Sequence, residues 1–385
     1  MKNIAVTTTS RSDYGILHPL LREIDNDNEL NLHLLISGSH LSEEYGKTIS
    51  EIINDGFEDY EIFDVLVRAN SKKNQQALIM SNTITEFSNY FFKNKPDILV
   101  LLGDRFETLG VAISAMLNKI PIAHIHGGEK TIGAIDDAIR HSITKLSHLH
   151  FVSCEEYKNR VRQLGENPNK IFSVGSLGVE NITSIKLKSK ENIRNLLKII
   201  NNKKIFLVTY HPTTLSELTP IEEFKILLSS LQIYKEQNIV FTGSNLDHGG
   251  VDINRLIIDT VSKNTNYYFF DSLGRDLFLN LMHHCDLMIG NSSSGIIEAP
   301  SFKKAVINIG SRQEGRVMAK NILQAPLDVA QIRNTIDRAL QKAFNDELKE
   351  VVNPYEKNNV SKEITGILKT CSNKKLLDKN FVDLI

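Results

Sequence analysis

Short runs of Ile, Val and Leu recur along this chain, and they end abruptly at glycine, histidine or acidic corners, as in "DILVLLGD" and "PIAHIHGGE". Between them lie longer stretches with apolar residues at helical spacing, such as Ile16, Leu17, Leu20, Leu21 and Ile24. Strands that are apolar throughout, separated by helices of about ten or more residues, call for a parallel sheet covered on both faces. The first half reads as "NIAVTTTS", "LNLHLLISG", "DILVLLGD", "IPIAHIHGG", "LHFVSC" and "IFSVGSLG", with helices between. A polar stretch from Glu180 to Lys204 follows, and then a second series: "KKIFLVTYHP", "NIVFTGSN", "NYYFFDS", "CDLMIGNSSSG" and "KAVINIGSR". With 385 residues to place, the expectation is α/β: two Rossmann-like, doubly wound domains facing across a cleft. The expected boundaries are 1–180, 181–360, and a tail, 361–385, packing back on the first domain.

The bulk composition excludes several functions. A net charge of −1 offers no general field for nucleic acid or an anionic membrane. No apolar run approaches the roughly 20 residues of a membrane span. "MKNIAVTTTS" reads as a first strand and not as a signal peptide. The widely spaced Cys154, Cys285 and Cys371 suggest neither a disulfide framework nor a metal cluster. A cytoplasmic protein is expected.

In open parallel sheets ligands bind at the carboxyl ends of the strands, so the corners are where function is sought. In "TTSRSDYG", Ser12 or Asp13 suits a helix cap, and Arg11 suits either a phosphate at a helix N-terminus or a surface ion pair. Asp104 of "LLGDRFE" is either the cap of the next helix or a carboxylate against apolar walls, tuned for proton transfer. In "HIHGGEKTIGAIDDAIRH", Gly127 and Gly128 allow a sharp bend beside His126 and Glu129. Asp136 and Arg140 are four apart on the following helix, as are Asp137 and His141, so each pair can meet on one face. His211 of "LVTYHPTT" ends the first strand of the second series. "GNSSSGIIEAP" surrounds one point with backbone N–H groups and hydroxyls, and Arg312 adds a cation after the next strand.

Taken together, "SRSDYG", "GDRFE", "HIHGGEKT", "DDAIRHSITKLSH", "YHPTT", "GNSSSGIIEAP" and "INIGSRQEGR" resemble the hydrolysing UDP-N-acetylglucosamine 2-epimerases of bacterial sialic acid biosynthesis. The resemblance runs from Met1 to about Ile332. It implies a glycosyltransferase-B-like fold and conversion of UDP-N-acetylglucosamine to N-acetylmannosamine and UDP, with no metal or redox cofactor. The C2 proton is removed while UDP leaves, and water then adds to the resulting 2-acetamidoglucal. By motif match Asp104, Asp136 and His211 take catalytic positions. Ser292, Ser293, Gly295, Glu298 and Arg312 fall at UDP-binding positions, with Glu298 on the ribose. Arg11, Asp13, Arg105, Arg140 and Asn245 fall at further nucleotide or sugar contacts. The partner implied is a UDP-sugar, and a homo-oligomer, dimer or tetramer, is expected.

One position departs from the family. Many relatives carry glutamate where this chain has His126, so the second acid/base is either His126 itself or Glu129 across the two glycines. The rival substrate is a UDP-2,4-diacetamido-trideoxy sugar of the legionaminic acid route. A glycosyltransferase of the same fold, or a non-catalytic nucleotide-sugar binder, would share the UDP cradle but needs no C2 base.

Overall fold

The protein is described by a computed structural model covering residues 1–42, 48–66, 74–132, 134–199, 201–213, 216–244 and 249–384. It divides into two compact units. One holds Met1–Glu129, Asp136–Asn181 and Lys357–Ile385, and the other Lys130–Ile135 and Ile182–Glu356.

The first unit contains β1 (Lys2–Thr8), β2 (Leu30–Ser37), β3 (Tyr60–Phe63), β4 (Ile98–Leu102), β5 (Ile122–Ile125), β6 (Leu149–Val152) and β7 (Ile171–Ser173). These described strands form one sheet in the order β3-β2-β1-β4-β5-β6-β7, and every pairing is parallel. The order reverses between β1 and β4, the switch point at which such sheets leave room for a ligand. Successive residues point to opposite faces, and here both faces are buried. Ile4, Val6, Leu34 and Val100 pack with Leu17, Leu20 and Ile24 of the helix Arg11–Asp25, and with Val360, Ile364 and Leu368 of the helix Val360–Thr370. Ala5, Leu35, Leu99 and Leu101 meet Phe87 and Phe91 of the helix Gln75–Lys93, and Val111 and Ala115 of the helix Phe106–Leu117. Burial on both faces is why these strands read as unbroken apolar runs.

The second unit repeats the plan with β8 (Ile205–Thr209), β9 (Asn238–Thr242), β10 (Tyr267–Phe270), β11 (Leu287–Gly290), β12 (Val306–Ile309) and β13 (Ile322–Ala325). Their order is β10-β9-β8-β11-β12-β13, again all parallel. Two strands have no counterpart in the sequence reading: β3, "YEIF", and β13, "ILQA". Both are edge strands interrupted by polar residues, and Ile62 of β3 is 42% exposed. An edge strand can leave a face to solvent, and in β3 and β13 the exposed Glu61 and Gln324 break the apolar run. No described helix is long and apolar enough to cross a membrane.

One glycine is required by close approach. Gly290, at the end of β11, has φ +140°, and a Cβ built on it would lie 1.9 Å from the Thr209 carbonyl oxygen of β8. Both objections fall on the backbone, which has no soft way to give. Gly290→Ala is expected to cost about 3 kcal/mol or more, read as a lowered urea midpoint at unchanged slope. A variant as stable as the parent would contradict this placement.

Candidate functional site

In the first unit the polar corners of β1, β2, β4, β5, β6 and β7 lie at one edge of the sheet, because all the strands run parallel. After β1, Ser10 caps the helix Arg11–Asp25 and accepts from the Asp13 N–H at 3.4 Å. Asp13 answers by accepting from Ser10 Oγ at 2.6 Å and from Thr9 N and Oγ1 at 3.1 and 2.7 Å. Its carboxylate is therefore built into the corner as a reciprocal cap, while Arg11 opens the helix beside it.

The β2 corner supplies a residue that the sequence reading passed over. His40 is fully buried, with Nε2 2.9 Å from Thr8 Oγ1 and Nδ1 2.8 Å from Thr48 Oγ1. Burial pushes its pKa down to about 4, with Asp13 opposing and Arg105 and Arg11 adding to the fall. It thus shares an electrostatic neighbourhood with three of the predicted residues. The signal was available: "LNLHLLISGSH" is another apolar strand ending in a Gly-Ser-His corner.

Asp104 follows Gly103, which has φ +75° after β4. Its surroundings correct the expectation of apolar walls: the carboxylate is ion-paired with Arg140 on the helix Asp136–Leu146. Arg140 is 2% exposed, donates to the Glu129 carbonyl at 3.1 Å and lies 3.6 Å from Asp137. Its guanidinium is a buried tie between the β4 and β5 corners, a structural duty that the sequence reading, which placed it among substrate contacts, did not foresee. Asp137 and His141 do meet, at 3.5 Å. Arg105 donates to Glu107 at 3.1 Å, and Asp136 begins its helix with its side chain half-buried.

The β5 corner contains both candidates for the second acid/base. His124 lies in the strand, with Nε2 2.7 Å from the Gly103 carbonyl and Nδ1 3.1 Å from Thr144 Oγ1. A carbonyl only accepts, so Nε2 carries the proton, and the ring is a structural hydrogen-bonder. His126 takes a left-handed φ of +65°, while its N–H still joins β6 at Phe151 O, 2.9 Å away. Gly128, at φ +79°, completes the bend, since a Cβ there would sit 2.5 Å from the Tyr157 carbonyl. The bend returns Glu129 to His126: Nδ1 and Oε1 are 3.5 Å apart, and both side chains are buried. The two candidates are neighbours in one pair.

In the second unit, His211 follows β8 and is clamped by Asn291, which accepts the His211 N–H at 2.7 Å and donates to its carbonyl at 2.8 Å. Arg312 and Gln313 donate to the Asn291 carbonyl at 3.0 and 2.8 Å. Burial, and after it the Arg312 cation, hold the His211 pKa well below its ordinary value, so the imidazole is neutral near pH 7. Ser292 caps the short helix Ser293–Ile297 and Glu298 ends it, buried. A Cβ built on Gly295 would lie 3.0 Å from Val306 and 3.6 Å from Met288 of the sheet, so its duty is close helix–sheet packing. Asn245 lies outside the described residues.

Two all-parallel sheets, each gathering polar corners at one edge, define the class of doubly wound α/β proteins. Within it the chain belongs to the UDP-N-acetylglucosamine 2-epimerase family, whose model matches residues 22–369. It is 40% identical to a Campylobacter jejuni protein named GDP/UDP-N,N'-diacetylbacillosamine 2-epimerase (hydrolyzing), over 100% of this chain and 99% of that one. It is 37% identical to polysialic acid biosynthesis protein P7 of Escherichia coli, over 100% and 98%. The fold is that of a UDP-GlcNAc 2-epimerase from Neisseria meningitidis solved bound to UDP-GlcNAc, with a TM-score of 0.78 at 21% identity over 96% and 99% of the two chains.

The buried histidines set a pH dependence. His124 is pushed down to about 3 by burial and His40 to about 4, whereas the unfolded chain titrates near pH 6.5. As pH falls below about 6.5 the unfolded state binds protons that the folded state refuses, so stability is lost on the acid side. Each histidine contributes up to about 1.4 kcal/mol per pH unit there. Urea unfolding should show markedly lower stability at pH 5.0 than at pH 7.5, and equal stabilities would refute the assignment.

Proposed function

We propose that this protein is a hydrolysing 2-epimerase whose substrate is a UDP-linked 2,4-diacetamido-trideoxy sugar of the N,N'-diacetylbacillosamine type. The observation that carries the reading is the full-length 40% identity to the Campylobacter jejuni enzyme named for that sugar. It moves the preference away from N-acetylglucosamine, the sugar first expected. That sugar remains the second reading, favoured by the relative named for polysialic acid biosynthesis.

The proposed chemistry has two stages. A base takes the sugar C2 proton, the C–H electrons form the C1–C2 double bond, and UDP leaves with the electrons of the C1–O bond. Water then adds its oxygen at C1 while a proton enters C2 on the opposite face, giving the free manno-configured sugar and UDP. The weakly acidic C2–H requires a positioned base, a contribution of about 10²–10⁴-fold. We assign it to the corners of the first unit. A carboxylate opposite Nδ1 fixes the imidazole tautomer with its proton on Nδ1, as in a catalytic triad. Glu129 is therefore the orienting group, and His126 presents Nε2 for proton transfer. Asp104, anchored by Arg140, and Asp136 handle the remaining proton.

The diphosphate is assigned to the second unit. Neutral His211 offers an N–H, Arg312 supplies the charge and Ser292 and Ser293 add hydroxyls, donors fixed before the negative charge develops. Glu298 is assigned to the ribose, and Arg11 and Arg105 to further anionic contacts. A cytoplasmic, homo-oligomeric enzyme completes the proposal.

Proton NMR in deuterated water tests the reading, with the UDP-diacetamido sugar and UDP-N-acetylglucosamine run in parallel. The expected outcome is UDP plus a free sugar deuterated at C2, formed faster from the diacetamido substrate. Retention of protium at C2 would sink the elimination mechanism, and faster turnover of UDP-N-acetylglucosamine would reverse the choice of sugar. His126→Ala and Glu129→Gln should each lower kcat about 100-fold or more; if neither does, the acid/base lies elsewhere.

A further inference from the structure

Two serines absent from every assignment above bracket the His126–Glu129 pair. Ser153 is the first residue after β6 and is fully buried, and its Oγ donates to Glu129 Oε1 at 3.1 Å. That is the same oxygen that faces His126 Nδ1. Ser176, also fully buried, lies beyond β7, with its Oγ 3.5 Å from His126 Nε2. The Ser176 oxygen also accepts the Gly178 N–H at 3.2 Å.

The polarity along this row is consistent. Ser153 donates to a carboxylate, the carboxylate faces one ring nitrogen, and a hydroxyl faces the other. The carboxylate at Nδ1 selects the neutral tautomer with the proton on Nδ1 and the lone pair on Nε2. A buried carboxylate also needs donors to hold its orientation, and a hydrogen bond to a charged group is among the stronger ones.

We propose that Ser153 is a positioning residue of the reaction, acting through Glu129 to hold His126 in its working tautomer and orientation. The proposal rests on the reading that His126 and Glu129 carry proton transfer. Ser153 touches neither sugar nor nucleotide in this role, so its removal acts on kcat and leaves KM alone.

The test is a double-mutant cycle on the full-length enzyme, using the UDP-sugar that the parent turns over. Ser153→Ala is expected to lower kcat about tenfold, with KM and UDP affinity unchanged. Ser153→Cys keeps the volume with a weaker donor and should fall between the two. In a Glu129→Gln background Ser153→Ala should cause no further loss, because both changes break the same chain. Parent-like kcat in Ser153→Ala, or full additivity with Glu129→Gln, would overturn the proposal and leave the dyad standing. Unimpaired turnover in Glu129→Gln alone would instead remove the reading beneath it. Unfolding of Ser153→Ala but not of Ser153→Cys, the latter with parent kinetics, would make the hydroxyl structural only.

Discussion

Parallel strand pairing is the constraint from which the other features follow. Because each strand in a sheet runs the same way, each must end at the same edge, and the chain must cross back over a face before starting the next. The crossing helices bury both faces, leaving that edge as the place for polar side chains. In the first unit it collects Asp13, His40, Asp104, His126 and Ser153 from separate strands, and in the second His211, Asn291 and Arg312. Residues far apart in the chain become neighbours without any long loop having to find them.

Within the first unit, Arg140 converts this gathering into a fixed geometry. A guanidinium 2% exposed must be paired, and its partners are the Asp104 carboxylate, Asp137 and the Glu129 carbonyl. It therefore relates the β4 corner to the β5 corner through hydrogen bonds that water does not screen. The left-handed His126 contributes in another way. Its backbone bends where glycine is usually preferred, and Gly128 continues the bend, so that Glu129 comes back beside the imidazole. Such strain persists only where the surroundings over-determine it, and here the β6 ladder bond to Phe151 supplies part of that.

The fold was legible because two-sided burial leaves a plain mark. The interior strands, from "IAVTT" to "VINI", are mostly apolar and stop at polar corners, with Asn31 and His33 of β2 among the exceptions. The edge strands β3 and β13 carry no such mark and went unread. Candidate residues were legible by position, at strand ends, but their duties were not. Arg140 reads as a helix partner of Asp136 and a substrate contact because spacing shows Asp136 and cannot show Asp104, which is 36 positions away. Asp13 reads both as a cap residue and as a ligand contact, and the structure shows it in the cap; Gly295 reads as a ligand contact and packs its helix against the sheet. His126 and Glu129 looked like alternatives because sequence shows separation along the chain and not the bend that closes it. Ser153 and Ser176 gave no signal, since a lone serine at a strand end is indistinguishable from a cap.

The division of the chain also bears on how the protein is made. The first unit takes in Lys357–Ile385, and its core includes Val360, Ile364 and Leu368 beside Leu17 and Leu20. Lys2 Nζ donates to the Leu368 carbonyl at 2.8 Å, fastening the start of the chain to that helix. On the ribosome, then, the half synthesised first waits longest for its last core helix. Its apolar surface stays open while the second unit, contiguous apart from one short segment, has all its strands in hand. Vectorial synthesis would complete the later-made half first, and a nascent chain stalled before residue 360 would be a client for chaperones.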